Sequence, residues 1–291
     1  MTRDDVFEAE RRRLRSIAYR MLGSLEDADD IVQDTWLRWE RIGEEGRAAV
    51  AAPAAWLTTA ATRLALDRLK SAQRRREEYV GPWLPEPVFT ESDPAVSVEL
   101  TESLTLGFLS VLERLAPVER AVFLLAEVFD EPYAVIAPTV GRSEEACRQI
   151  ASRARRRVRD GRPRFEPVER RDDLVAAFVH ACADGRLDEF RRVLADDVEF
   201  VSDGGADVHA ARRPVRGVYR VGRLLANLVK RVPDGATMEF HEVNGEPGLL
   251  VRRGGAPWYV VALESHGDRI TAIRLVINPD KLHHIDAAAV L

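Results

Sequence analysis

One twenty-residue stretch constrains this chain more than any other. Counting Tyr133 as position one, Ile136, Ala137, Val140, Gly141, Cys147 and Ile150 fall at positions four, five, eight, nine, fifteen and eighteen. That spacing packs one side of two short helices together across a tight turn, the helix-turn-helix arrangement. Ala137 is small enough for the second helix to cross close by, Gly141 can take a positive φ in the turn, and Cys147 with Ile150 closes the small core. The remaining face of the second helix carries Arg142, Ser143, Glu145, Arg148, Gln149, Ser152, Arg153 and Arg156. Such side chains reach base edges and phosphates in a major groove. Pro138, inside the first helix, removes a backbone donor and is expected to bend it.

Charge points the same way. From Arg142 to Arg164, nine arginines stand against Glu144, Glu145 and Asp160, in a chain whose formal net charge is −5. Each phosphate neutralised there releases a counterion and makes binding salt-dependent. The overall charge excludes a global basic field, so nucleic-acid contact has to be local. Arginine abundance alone decides nothing: only Lys70, Lys230 and Lys281 are lysines among 43 basic residues, and a GC-rich coding bias gives the same skew. Two cysteines far apart, Cys147 and Cys182, read as core thiols rather than a disulfide framework. No 18-residue apolar run exists and no apolar stretch follows Met1-Thr2-Arg3-Asp4-Asp5, so a cytoplasmic protein with no membrane span is expected.

The chain reads in four parts. Residues 4–76 are helical: Phe7, Leu14, Ile17, Ala18 and Met21 share a face, Gly23-Ser24 breaks the helix, and Ser24 caps the next. That second helix runs to about Ile42, a loop spans Gly43 to Pro53, and a third helix ends in a basic run. Residues 77–97 form a linker interrupted by Pro82, Pro85, Pro87 and Pro94, which nonetheless keeps Trp83, Leu84, Val88 and Phe89. Residues 98–164 are helical again and contain the helix-turn-helix. From 167 to 291 the pattern becomes α+β, with strands at 198–202, 237–243, 248–253, 257–265 and 268–277 and turn signals such as Asn244-Gly245 between the later ones. Helices followed by an antiparallel meander predict a cone-shaped α+β domain. The fold class is therefore multi-domain: two all-α modules, then an α+β domain.

In the first module an acidic helix (Asp27, Asp30, Asp34) precedes a basic one (Arg63, Arg68, Lys70, Arg74). A cationic helix beside a loop can track a single strand and hold an unstacked base, while the acidic face can dock on a basic protein surface. The strings Arg15-Ser16-Ile17-Ala18-Tyr19-Arg20-Met21-Leu22-Gly23, Asp27-Ala28-Asp29-Asp30-Ile31-Val32-Gln33-Asp34-Thr35-Trp36-Leu37-Arg38-Trp39 and Pro53-Ala54-Ala55-Trp56-Leu57 resemble region 2 of extracytoplasmic-function sigma factors. Residues 98–160, with Ser143-Glu144-Glu145-Ala146-Cys147-Arg148-Gln149, resemble region 4. Trp83-Leu84-Pro85-Glu86-Pro87 and Asn278-Pro279-Asp280-Lys281-Leu282 resemble signatures of the subgroup carrying a C-terminal SnoaL-like, NTF2-like domain. A third signature reads Asp203-Gly204-Gly205-Ala206-Asp207, with acidic Asp207 where the subgroup has a basic residue.

This resemblance implies that Asp27, Asp30, Asp34 and Trp36 dock on the β′ clamp helices of core RNA polymerase. The 43–53 loop and the 54–76 helix would melt the minus-ten element of promoter DNA, and region 4 would sit on the β flap with its recognition helix at the minus-thirty-five element. The C-terminal domain would regulate in cis through Trp83, Leu84, Asp203, Gly204, Gly205, Asn278, Asp280 and Lys281. Burying Trp83 and Leu84 would contribute roughly 3–5 kcal/mol before ordering costs. The other function class is a SnoaL-like small-molecule sensor or enzyme fused to a DNA-binding module. Acid–base chemistry would draw on Glu239, His241, Glu264, His266, Asp203 or His209, with Trp258 and Tyr259 lining a pocket. Neither reading calls for a cofactor or metal; adjacent His283-His284 diverge on any regular element. A ligand of the C-terminal domain stays open.

Overall fold

A computed structural model describes residues 3–90, 103–161 and 171–287. A few helix side chains, that of Arg74 among them, lie outside the description, as do the expected linker end at 91–97 and the module boundaries near 98 and 164. The chain forms two compact units: Met1–Glu78 with Val111–Gly161, and Tyr79–Ser110 with Arg162–Val290.

The first unit holds α1 (Arg3–Leu22), α2 (Leu25–Arg41), α3 (Gly43–Ala49) and α4 (Pro53–Glu77). Phe7, Leu14, Ile17, Ala18 and Met21 are buried together on one face of α1. Gly23 turns the chain at φ +69°, and the Ser24 hydroxyl accepts from the Asp27 amide at 3.3 Å to start α2. The expected loop between Gly43 and Pro53 contains α3, a correction. This short helix buries no residue, so it has no apolar periodicity for a sequence reading to detect. The segment α5 (Leu106–Leu112) straddles the division between units; α6 (Pro117–Glu127), α7 (Tyr133–Val140) and α8 (Glu144–Gly161) complete the first.

Side chains from the two helical modules interlock within this unit. Arg120, buried, donates to the Met21 carbonyl and to Glu113, each at 2.7 Å, and Arg76 bonds to Glu113 and the Leu22 carbonyl. Burial pushes the Glu113 carboxyl up, but Arg120 and Arg76 outweigh it and hold the group below the usual range. Arg20 lies 5.5 Å from the Phe129 ring centre, and desolvation pulls its guanidinium down to about 9.

The second unit is built on one six-stranded sheet. Helices α9 (Arg171–Asp184) and α10 (Leu187–Val193) lead into β1 (Leu194–Asp203); β2 (Val215–Arg216), α11 (Val218–Val229), β3 (Thr237–Val243), β4 (Glu246–Arg253), β5 (Ala256–His266) and β6 (Arg269–Val276) follow. Spatial order is β2-β1-β6-β5-β4-β3. The meander from β3 to β6 is antiparallel, as its turn signals predict, with Asn244 and Gly245 at φ +53° and +79°. The strand β1 instead pairs parallel to β6. The sheet is covered on both faces. On one, Leu249, Val261, Leu263, Ile273, Phe200 and Val198 meet Leu174, Phe178, Phe190, Val221 and Leu225 of the helices. On the other, Val201, Val243, Leu250, Val260, Ala262 and Val276 meet Leu84, Leu106 and Leu282. Burial on two faces explains why Glu246–Val251 is buried without alternation.

Candidate nucleic-acid interface and linker clasp

The helix-turn-helix forms as its spacing predicts. Gly141 ends α7 in the left-handed region at φ +66°, ψ +44°, and its amide and that of Arg142 both reach back to the Ala137 carbonyl. Ile136, Ala137, Cys147, Ile150, Ala151, Ala154 and Val158 are buried. The helix α7 continues through Pro138. Ala134, whose carbonyl loses its helical donor there, is exposed, so water can replace the missing bond.

Arg142 and Ser143 just before α8, and Glu145, Arg148, Gln149, Ser152, Arg153 and Arg156 on it, are all exposed. Ser143 also caps the helix, its hydroxyl accepting from the Ala146 amide at 3.2 Å. Arg148 pairs with Glu144 at 2.7 Å and lies 5.1 Å from the Tyr133 ring centre. Arg155 and Arg157, behind this face, are tied to Glu127 and Glu119.

The residues expected to divide between polymerase and DNA in the first module partly bind each other. Arg68 donates to Asp27 and to Asp30, each at 2.7 Å, and Lys70 pairs with Asp67 at 2.9 Å. Arg63 donates to the Pro138 carbonyl at 2.7 Å and the Thr139 carbonyl at 3.3 Å, and Thr59 bonds Thr139 at 2.9 Å. Of the α4 residues assigned to DNA, Arg63 is therefore engaged with α7 here. Asp34 and Leu37 stand exposed on α2, whereas Trp36 is half-buried against Phe7, with ring centres 4.8 Å apart. The Arg74 side chain lies outside the described residues.

In the second unit the linker is part of the fold. Leu84 and Val88 are 1% and 2% exposed. The Asp203 carboxylate, itself fully buried, accepts from Tyr79 Oη at 2.5 Å, Leu84 N at 2.7 Å, Lys281 Nζ at 2.7 Å and Gly205 N at 3.1 Å. Lys281 also donates to the Leu84 carbonyl and sits 4.2 Å from the Trp83 ring centre; Trp83, expected to be buried with Leu84, is only part-buried and is held by the cation on its π face. Asn278 donates to Tyr79 Oη at 2.9 Å and accepts from the Asp280 amide at 3.1 Å. Asp280 itself is exposed. Burial, then the hydrogen bond to Asp203, raises the Tyr79 hydroxyl above its ordinary value. Gly204 and Gly205 leave no room for side chains: an added Cβ would fall on the Val208 carbonyl oxygen or the Asn278 amide. Asp207 is exposed.

Sequence reasoning missed Tyr79 and Asn244. Asn244 reads as a turn residue, yet it is fully buried; its Oδ1 accepts from Val88 N at 2.9 Å and its Nδ2 donates to the Leu104 carbonyl at 3.0 Å. A turn motif beside a rigid linker gives no local sign of such a bond.

The candidates for acid–base chemistry do not converge. Glu239, His241, Glu264 and Asp203 are in register on the linker-covered face. Glu264 is bound to Arg274 at 2.8 Å, Glu239 to Arg252 at 2.8 Å, and His241 stacks on Phe89. His209 is exposed. On the helix-covered face Tyr259 packs against the apolar core, while Trp258 is half-exposed near Arg253. The cleft bounded by Val80, Pro82 and the 205–212 loop holds about 200 Å³, below the usual range of small-molecule pockets. Among the described residues there is no cluster of three metal-ligating side chains, and no helix is long and apolar enough to cross a membrane.

Comparison with known proteins agrees with this geometry. The family model Sigma-70 region 2 matches residues 6–75, and Sigma-70, region 4 matches residues 106–158. The chain is 39% identical to the ECF RNA polymerase sigma factor SigJ of Mycobacterium tuberculosis, over 94% of this chain and 91% of that protein. It is 34% identical to the probable ECF RNA polymerase sigma factor SigI of the same species, over 97% and 95%. The crystal structure of the Mycobacterium tuberculosis extracytoplasmic function sigma factor SigJ superposes with a TM-score of 0.76 at 37% identity, covering 95% of this chain and 97% of that one. Two sigma-70 modules on the same chain, with full-length similarity to these relatives, settle the assignment: the chain belongs to the extracytoplasmic-function RNA polymerase sigma factors, which select promoters and start transcription.

Proposed function

We propose that α8 enters the minus-thirty-five major groove through Arg142, Glu145, Arg148, Gln149, Ser152, Arg153 and Arg156, with Ser143 holding the helix start. Arg63, Arg68, Lys70 and Arg74 of α4, together with α3, handle the minus-ten strand. The open face of α2 around Asp34 docks on the β′ clamp helices, and region 4 docks on the β flap. The observation that carries this reading is the exposed polar face of α8 above a fully apolar underside.

The free chain is then in a closed state. The two elements lie about 25 base pairs apart, or about 85 Å at 3.4 Å per base pair. The longest helix among the described residues, α4, has 25 residues and spans about 37 Å. Modules joined by Arg63, Thr59, Arg120 and Glu113 have to part before both elements are held. The linker is the regulatory part: with Leu84 and Trp83 gripped by the α+β domain, its freedom to follow polymerase is limited. Run-off transcription with core polymerase tests the reading. The full chain should give promoter-dependent transcripts and Arg148→Ala/Gln149→Ala should not. A 1–165 truncation should change the yield; equal activity of all three proteins would refute the assignment.

A further inference from the structure

The α+β domain carries a basic surface that the functions above leave unused. Across 208–233 the chain has seven basic residues and no acid, although it contains 48 acids in 291 residues. A coding bias toward arginine changes which base is used; it does not remove the acids. The segment forms β2 at the edge of the sheet and then α11, whose Val218, Val221, Gly222 and Leu225 are buried. On α11 the residues Tyr219, Arg220, Arg223, Asn227 and Lys230 are exposed. At 100° per residue they fall within one stripe, about 16 Å long. Arg212, Arg213 and Arg231 are exposed at its two ends. Of the acids beside it, Glu199 is shared by Arg216 at 2.8 Å and Arg274 at 3.3 Å, and Asp196 lies next to Gly217 at the start of α11. Arg212, Arg213, Arg220, Arg223, Lys230 and Arg231 have no carboxylate partner among the described residues. Tyr219 is 58% exposed, with the Arg191 guanidinium 5.5 Å from its ring centre.

We infer that this β2–α11 surface is a docking site for the phosphate backbone of double-stranded DNA, independent of sequence. Arginine forks with an interleaved Tyr and Asn are the side chains that contact phosphate oxygens. An anionic bilayer would need apolar residues to insert beside the charges, and the stripe offers Tyr219 alone. The site gives the α+β domain a hold on DNA separate from α4 and α8.

The test is fluorescence anisotropy of the full chain on a random-sequence 30-base-pair duplex from 50 to 200 mM salt. Arg220→Gln/Arg223→Gln should lower the slope of log affinity against log salt by about 1.8, at roughly 0.9 per phosphate released, with the thermal midpoint unchanged. Arg148→Gln/Arg153→Gln in α8 serves as the comparison. A slope lowered by the α8 pair and untouched by the α11 pair overturns this inference and leaves the promoter reading standing. Lack of DNA binding by the wild-type chain at 50 mM salt also overturns it. So does arginine-dependent binding to phosphatidylglycerol vesicles with an unchanged DNA slope.

Discussion

Replacing Lys281 by methionine should unfasten the linker from the α+β domain. Lys281 and Asp203 are 7% and 0% exposed, and the pair is 2.7 Å apart. Without the ammonium, the carboxylate keeps its bonds from Tyr79, Leu84 and Gly205 but stands buried as an uncompensated charge. Removing one partner of such a pair costs about 3–5 kcal/mol, a large share of a typical domain's stability. The Leu84 carbonyl and the Trp83 face also lose their cation. Urea unfolding of the wild type, Lys281→Met, Asp203→Asn and the double variant gives the coupling directly. The single variants should each lower stability by about 3 kcal/mol or more, and the double variant should cost clearly less than their sum. Limited proteolysis should show new cleavage between residues 79 and 90 in the single variants. Additive effects below about 1 kcal/mol with an unchanged cleavage pattern would refute the clasp.

Other outcomes follow from local geometry. Burial raises the Cys182 thiol to about 12; from about pH 9 upward the unfolded chain releases a proton that the native one keeps, so stability falls with pH by up to about 1.4 kcal/mol per unit. Cys182→Ala should flatten that slope in urea titrations at pH 9 to 11, and an identical slope would contradict it. Gly204→Ala, whose methyl would meet backbone at Val208, should cost about 3 kcal/mol. Gly235→Ala meets no atom within 4 Å and adopts φ +82°, so it should cost only about 1–2 kcal/mol of backbone strain; equal losses at the two sites would argue against the tight 203–210 turn.

Much of the architecture was legible because it is written locally. The helix-turn-helix rests on contacts within twenty residues, Ser24 caps its own helix, and Asn244-Gly245 makes a hairpin whatever surrounds it. What escaped depends on distant partners. The parallel pairing of β1 with β6 joins residues about seventy apart, and no hydrophobic period encodes which strand lies beside which. The linker's Trp83, Leu84, Val88 and Phe89 signalled packing, but only the fold shows Leu84 and Phe89 on the second face of the sheet. Charge patterns did not show their local partners: Asp27 and Asp30 on α2 pair with Arg68 of α4, a contact that their spacing in the sequence does not encode.

The separation of the two helical modules can be measured by energy transfer. Dyes on Ala9→Cys and Arg159→Cys, in a chain lacking Cys147 and Cys182, report the distance between α1 and the end of α8, which lie in one compact unit. High transfer in the free chain, falling sharply when core polymerase and promoter DNA are added, is the predicted result. Undiminished transfer in a complex that is actively making transcript would contradict a sigma factor that opens to hold both promoter elements.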